Sequence, residues 1–468
     1  MRVHFMGIAG SGASAAAEIA KANGFEVTGC DLSLEGHNPK HLYCQQLDSS
    51  PSVQNDSLVD ILAITPAITS FDPNNSELEA AKKQGIEVLT WQEFVGKYLL
   101  KDKFVIAVTG THGKSTTTAM VAKVLEDAGL DPTVLLGAIL PEWGTNFRIP
   151  VRHPEPRFNR GALVSGSMEE IPNPDRVEAR PKGRQVRNDD GGDDKGIFVI
   201  EADEAYDNFL NYKPDIAIVT NIEMDHPEYF KDLSAIMDSF EKFLLGTRKT
   251  IIGNVSDPTV AEILKDVMKS SSVNAIDYTK HELNISLKIP GEFNILNAKA
   301  AFQVGLLLGI DPTIIRNSLS NFTGVSRRFE YLGTYKGRKV YSDFGHHPTE
   351  VKTTMQAARE KFPNQYIWLI FQPHMFSRTK ALFKEFVSVF KNIPANQALI
   401  LDIYPSREAD TSLVKSQELV DAVDSNKVDY LSGVEELKVV LDKEVRPGDI
   451  IFFMGAGDID QMARNLIK

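Results

Sequence analysis

Six consecutive residues, Gly110-Thr111-His112-Gly113-Lys114-Ser115, have the types and spacing needed to hold phosphate groups. Glycines let backbone N–H groups turn toward phosphate oxygens, and the N-terminus of a following helix adds positive potential. In such a loop Lys114 reaches the β- and γ-phosphates, and the Ser115 hydroxyl is available to Mg²⁺. The general pattern wants another glycine five positions before Gly113, where this chain has Val108. The loop is therefore a shorter version, and a glycine turn before an unrelated helix is the alternative.

Magnesium bound with ATP takes one or two protein ligands and keeps several waters. Two acidic clusters follow apolar runs downstream: Glu201-Ala202-Asp203-Glu204 after Phe198–Ile200, and Asn221-Ile222-Glu223-Met224-Asp225-His226 after Ile216–Thr220. In a parallel sheet the C-terminal strand ends share one edge, where ligands bind, so both clusters can face the phosphate loop. Either alone would more often be a helix-capping turn. A third feature, Gly7-Ile8-Ala9-Gly10-Ser11-Gly12, imitates a dinucleotide fingerprint without its true spacing, although Asp31 ends the next strand-like run as that fold requires. A plain tight strand–helix turn explains it equally well.

The elements that must position these residues form three blocks. Residues 1–100 alternate strand-like runs (Val3–Met6, Glu26–Cys30, Val59–Thr65) with the helical run Ala13–Asn23. Residues 101–323 open with Phe104–Thr109, a continuous apolar run typical of a central parallel strand, and contain Ile197–Glu201 and Asp215–Thr220. Within this block, residues 150–196 are rich in Pro, Gly, Arg and Asp without a period, which predicts a mobile surface insertion. Residues 324–468 carry strand-like runs at Arg338–Ser342, Tyr366–Phe371, Ala398–Ile403 and Asp449–Met454, with a helix over Pro348–Glu360. Strands alternating with helices predict parallel α/β architecture in all three blocks. Three domains also suit 468 residues at roughly 100–200 per domain. No 20–50-residue repeat indicates a solenoid.

The net charge of −12 argues against a nucleic-acid partner. No apolar run approaches the ~20 residues that span a bilayer. The start, Met1–Gly7, reads as a strand rather than a signal peptide. Two cysteines, Cys30 and Cys44, offer neither a disulfide framework nor a four-ligand zinc site, so a cytoplasmic location is expected.

Taken together, the motifs resemble the Mur ligase family, the ATP-dependent amide-forming enzymes of peptidoglycan assembly. Beyond the loop and the two clusters, the resemblance rests on Gly291–Ala298, Ser326-Arg327-Arg328-Phe329-Glu330, Asp343-Phe344-Gly345-His346-His347-Pro348-Thr349-Glu350, Phe371-Gln372-Pro373-His374 and Ile403–Glu408. It implies a Rossmann-like UDP-binding first domain, a central P-loop ATPase-type domain, and a Rossmann-like third domain that closes over both. It also implies UDP-N-acetylmuramate and an amino acid or short peptide as small-molecule substrates, with ATP and Mg²⁺.

Carried over by position, the resemblance implies that Gly110, Thr111, His112, Gly113, Lys114, Ser115 and Thr116 cradle ATP. Asn294 and Asn297 would lie near the adenine, Arg328 near the ribose and phosphates, and Asp343 would orient ATP from the third domain. Ser115, Glu201 and His226 would bind magnesium. Gly10, Ser11, Gly12, Asp31, Thr65 and Pro66 would hold the UDP-sugar. Lys114, His346, His347 and Arg378 would serve the chemistry, with a histidine taking the proton of the attacking amine. An Arg-Arg pair is otherwise a solvated surface feature, and a His-His-Pro turn a helix cap.

The chain departs from the family's usual pattern at Ala205 and Tyr206 after Glu204, at Phe293, and at Met375 after His374. The first and last of these leave the acceptor open between L-alanine and a recycled tripeptide. A dehydrogenase built on Gly7–Gly12 is opposed by the glycine spacing. A nucleotide-gated binding protein without chemistry is opposed by the full set Lys114, Ser115, Glu201 and His226.

Overall fold

The computed structural model describes residues 1–31, 59–66, 68, 74–150, 196–406, 408 and 413–468. Nearly all of the predicted insertion, together with Cys44, Ala67 and Arg407, lies outside them. No described helix is long and apolar enough to cross a membrane.

Three sheets carry the chain. The first joins β1 (Arg2–Met6), β2 (Glu26–Cys30), β3 (Ile61–Ile64) and β4 (Glu87–Thr90) in the order β2-β1-β3-β4, all parallel. The second joins β5 (Phe104–Thr109), β6 (Thr133–Leu140), β7 (Thr145–Arg148), β8 (Ile197–Glu201), β9 (Ile216–Val219), β10 (Thr250–Gly253) and β11 (Asn274–Asp277) in the order β11-β10-β9-β5-β8-β6-β7. The third joins β12 (Glu330–Tyr335), β13 (Arg338–Asp343), β14 (Ile367–Phe371), β15 (Gln397–Ile400), β16 (Val428–Tyr430) and β17 (Ile450–Met454) in the order β12-β13-β17-β14-β15-β16.

The continuous apolar character of β5 reflects burial on both faces. Alternate residues point to opposite sides. Ile106 and Val108 pack with Met120, Val124 and Phe302 on one side, while Val105 and Ala107 join Phe198, Ile200 and Phe240 on the other. This second core runs on without a break into Val3, Phe5 and Ala16 of the first sheet, so those two sheets share one interior. The third sheet has its own cores, one on each face.

Two edges depart from the parallel expectation. β6 and β7 form an antiparallel hairpin, and so do β12 and β13. The second hairpin turns at Lys336 and Gly337, both at positive φ, the backbone that a two-residue turn matched to strand twist requires. A single lysine–glycine step in a polar stretch carries that signal weakly, and β12 has no clean alternation of its own.

Candidate active site

The phosphate loop leaves β5 and enters the helix Lys114–Asp127. Gly110 has φ +128°, and a Cβ there would lie 2.1 Å from Thr220 Oγ1, so only glycine lets the loop pass under β9. The loop after β9 holds it from the other side. The Asn221 side chain accepts the His112 N–H at 2.8 Å and donates to His112 O at 3.0 Å, and Asn221 O accepts the Thr111 N–H at 2.9 Å.

Lys114 lies over its own loop. Its ammonium donates to Gly110 O at 2.7 Å and to both carboxylate oxygens of Glu204, at 2.9 and 2.8 Å, with Asp203 at 3.7 Å. Burial opposes the charge on this lysine, but the carboxylates of Glu204 and Asp203 win and raise its pKa. Glu204 was legible only as part of a motif. Its role as the buried partner of Lys114 requires the fold, which brings the end of β8 against the loop.

Ser115 Oγ donates to Glu201 Oε1 at 2.9 Å, while Glu201 Oε2 accepts the Gly137 N–H at 2.6 Å. Hydroxyl and carboxylate oxygens at the phosphate loop are the hard donors that Mg²⁺ takes. His226 groups instead with Asp203 and Glu204, three ligand atoms within 4.8 Å of one another. Its backbone is left-handed at φ +52°, and its Nδ1 lies 3.0 Å from Glu228 Oε1. Burial opposes protonation of His226, yet Glu228, Asp225 and their neighbours lift its pKa to about 9. The structure thus divides the expected metal ligands into a Ser115–Glu201 pair and an adjoining Asp203–Glu204–His226 group.

Above the loop stands the third sheet. Asp343 ends β13, and its carboxylate accepts the amides of Phe329 and Gly345, each at 2.8 Å. Burial pushes its pKa up to about 6. Arg328 reaches Glu350 at 3.2 Å, and Arg327 bonds the carbonyls of Gly455 and Gly457, so this pair is engaged rather than solvated. A cavity of about 170 Å³ lies between the two sheets. His112, Gly113, Ser115 and Thr116 line it from below, and Arg328 and Asp343 from above. Asn294 and Asn297 close one side on the helix Glu292–Leu307, alongside Asn254, Tyr278 and Phe293.

His347 is the N-cap of the helix Pro348–Lys361, its Nδ1 accepting the Thr349 N–H at 3.2 Å while Glu350 returns to the backbone. It is also more than a cap, because its Nε2 meets Met224 O at 3.2 Å and its ring packs 4.7 Å from that of His112. His112 lies 3.7 Å from Glu223 and 3.4 Å from Glu350. Burial alone would depress the His112 pKa, but the two carboxylates outweigh it and lift it to about 9. His346 donates from Nδ1 to Phe344 O at 3.1 Å, and burial pulls its pKa down to about 4. Arg378 lies in the helix Phe376–Ala381 and pairs with Asp225 at 2.8 Å. Glu223, Asp225 and Glu350 carry the contact between the two sheets. The sequence showed Glu223 and Asp225 as a cluster and Glu350 as a first-turn helix residue, but not their partners across the two sheets, which lie more than 120 positions away.

The first sheet has a separate edge, expected to hold the UDP-sugar, where β1, β2 and β3 end together at Met6, Cys30 and Ile64. Asp31 accepts the Ala9 N–H at 2.9 Å, and Thr65 lies against Gly7, where a Cβ would come within 2.4 Å of its methyl. Pro66 follows Thr65 on the same edge, partly buried. Gly10 and Ser11 are exposed at the start of the helix Ser11–Ala22, while a Cβ on Gly12 would lie 2.5 Å from the Trp91 ring. Gly12 is thus required for packing. Asn146, on β7, donates to Ser11 O at 2.9 Å and ties this edge to the central sheet.

Comparison with known proteins follows the three sheets. Residues 2–103 match the Mur ligase family catalytic domain, 108–282 the Mur ligase middle domain, and 327–457 the Mur ligase glutamate ligase domain. The UDP-N-acetylmuramate–L-alanine ligase of Alkaliphilus metalliredigens is 33% identical, covering 99% of this chain and 96% of its own. That of Acetivibrio thermocellus is 34% identical, covering 100% and 95%. Among solved structures, the UDP-N-acetylmuramate–alanine ligase of Thermotoga maritima superposes with a TM-score of 0.69 at 24% identity, covering 100% of this chain and 98% of that one. A murein peptide ligase of Psychrobacter arcticus gives a TM-score of 0.62 at 22% identity with the same coverage, so the two share the fold.

Proposed function

The chain belongs to the Mur ligase family, and we propose that it joins L-alanine to UDP-N-acetylmuramate at the expense of ATP, in peptidoglycan precursor synthesis. The observation that carries this reading is the shared cavity, in which the phosphate loop and its Ser115–Glu201 pair face Arg328 and Asp343 of the third sheet.

Joining a carboxylate to an amine in water is uphill without activation. In this reading the substrate carboxylate attacks the γ-phosphoryl group, giving an acyl phosphate and ADP. The amino group then attacks the acyl carbon, and phosphate leaves. Catalysis of the first step is positioning and charge neutralisation. Lys114 and Arg328 supply fixed positive charge, and Lys114 must exchange Glu204 for phosphate oxygens. Ser115 and Glu201 would hold Mg²⁺, which would neutralise phosphate charge there. Asp203, Glu204 and His226 extend the same ligand field.

The incoming ammonium must lose a proton. His347 has both ring nitrogens engaged, with Thr349 N–H and Met224 O. In His346 the Nδ1 proton goes to Phe344 O, which places the lone pair on Nε2, and burial keeps the ring neutral. Of the two, His346 keeps the lone pair for that proton, and with its pKa down to about 4 it takes it only as the amine adds to the acyl carbon, while His347 fixes the third sheet over the loop. Closure of that sheet also keeps water from the acyl phosphate. UDP would lie along Gly10, Ser11, Asp31 and Thr65 at the first sheet's edge.

The test is phosphate release from ATP by the purified protein with UDP-N-acetylmuramate, adding L-alanine, glycine, L-serine or the tripeptide in turn. Release dependent on L-alanine is expected. Release with the tripeptide alone would move the assignment to peptide recycling, and no amine-dependent release would remove the ligase reading.

A further inference from the structure

We propose that His4, Cys30 and Glu77 form a second metal site, remote from the phosphate loop, that takes a thiophilic divalent cation of the zinc class. The three residues come from separate elements of the first sheet: His4 from β1, Cys30 from the end of β2, and Glu77 from the helix Ser76–Lys83. One donor atom from each lies within 4.8 Å of the other two.

The hydrogen bonding of His4 supplies the independent observation. Its side chain is fully buried, and Nδ1 lies 2.8 Å from Thr28 Oγ1. Nε2 is buried and has no hydrogen-bond partner among the described residues, and Glu77 Oε1 faces it from 3.5 Å. Buried ring nitrogens are nearly always paired, so one left unmatched toward a carboxylate marks a place for a cation or a missing donor. The other Glu77 oxygen accepts the Cys30 thiol at 3.7 Å. One imidazole, one thiol and one carboxylate thus converge, with the second imidazole nitrogen held by a hydroxyl, as metal-bound histidines are held.

Tetrahedral zinc takes sulfur at ~2.3 Å and nitrogen or oxygen at ~2.0–2.2 Å, so its ligands stand roughly 3.3–3.7 Å apart. Two of the observed separations, 3.5 and 3.7 Å, already fall at that spacing. Binding would release the thiol proton to water and leave thiolate, imidazole and carboxylate as ligands. A water would fill the fourth position on the side where Glu77 is partly exposed. The donor set separates this site from the oxygen-rich Ser115–Glu201 pair, because thiolate selects zinc-class ions over magnesium. Its position gives it a consequence. Cys30 O accepts the amides of Gly7 and Ile8, so a metal on Cys30 would stiffen the loop that leads to Gly10 and Ser11.

The experiment titrates the reduced, metal-free full-length protein with cobalt(II), whose thiolate charge-transfer absorption reports sulfur ligation that magnesium sites cannot produce. The expected result is a thiolate–cobalt band saturating at about one equivalent, displaced by zinc and insensitive to excess magnesium. It should persist in Cys44→Ser and vanish in Cys30→Ser. Glu77→Gln, at a partly exposed position, should weaken binding by about tenfold or more. A wild-type protein with no such band, or a band that survives Cys30→Ser, would overturn the proposal.

Discussion

Arg378 Nε lies 2.8 Å from Asp225 Oδ1, in a pair whose side chains are 3% and 8% exposed. The same Asp225 oxygen accepts the backbone N–H of His226 at 2.8 Å, where the chain adopts its left-handed turn. One ion pair therefore connects the third sheet to the backbone that presents His226. Burial disfavours the Asp225 carboxylate, but the Arg378 guanidinium holds it well below the usual range, so the pair is intact at neutral pH.

Arg378 should accordingly behave as a positioning residue. Arg378→Ala leaves a buried carboxylate without its cation, a change that costs about 3–5 kcal/mol. We expect a lower melting temperature and a fall in kcat with the KM for ATP nearly unchanged. Asp225→Asn should give a similar kcat, and the double variant should be no worse than either single one. Independent, multiplying losses in that double-mutant cycle would remove the connection.

Lys114 offers a different separation of stability from activity. Its side chain and that of Glu204 are 13% and 3% exposed, so Lys114→Ala would both end turnover and strand Glu204. The loss of stability should again be about 3–5 kcal/mol. Adding Glu204→Gln to Lys114→Ala should restore most of the melting temperature without restoring turnover. Restored activity in the double variant would show that Lys114 does not contact the transferred phosphoryl group.

His112 makes the sheet-to-sheet contact depend on pH. Its pKa rises from the ordinary 6.5 to about 9 once burial is outweighed by Glu223 and Glu350. A histidine with a raised pKa in the folded chain contributes stability that is complete below pH 6.5 and lost as pH rises through about 9. His226 adds to the same window, also reaching about 9. His112→Gln should therefore flatten, without abolishing, the decline in melting temperature between those two pH values. An unchanged slope would mean that His112 is neutral in the folded protein.

What the sequence disclosed follows from where the information resides. The run Phe104–Thr109 is β5 residue for residue, because burial on both faces leaves an unbroken apolar signature. Pro348 starts its helix as expected, since proline fits the first helical turn. β7 and β12 were not legible as antiparallel edges, because a hairpin is announced mainly by its turn and neither turn carries a strong turn dipeptide. The same holds within the site. Lys114 and Ser115 announce themselves through local spacing, whereas Glu204 over Lys114 and Glu350 beside His112 are meetings of residues 90 and more than 200 positions apart. Gly12 shows how one residue type can answer two demands, since the approach of Trp91 requires a glycine there whatever its backbone N–H meets.

Glu201 allows magnesium to be tested apart from catalysis. Its partly buried carboxylate lies between Ser115 Oγ and Gly137 N, and desolvation raises its pKa, so the charge is held at some cost when no cation is near. Glu201→Gln removes that charge and one acceptor, and the two effects on stability oppose each other, leaving a change of about 1 kcal/mol or less. Magnesium should distinguish the proteins sharply. A ligand at a hundred times its Kd stabilises the folded state by about 2.7 kcal/mol. The wild type with ATP should therefore gain several degrees in melting temperature on adding magnesium, and Glu201→Gln should lose most of that gain. An equal gain in both proteins would place the metal on Asp203, Glu204 and His226 instead, the neighbouring group whose donors also converge.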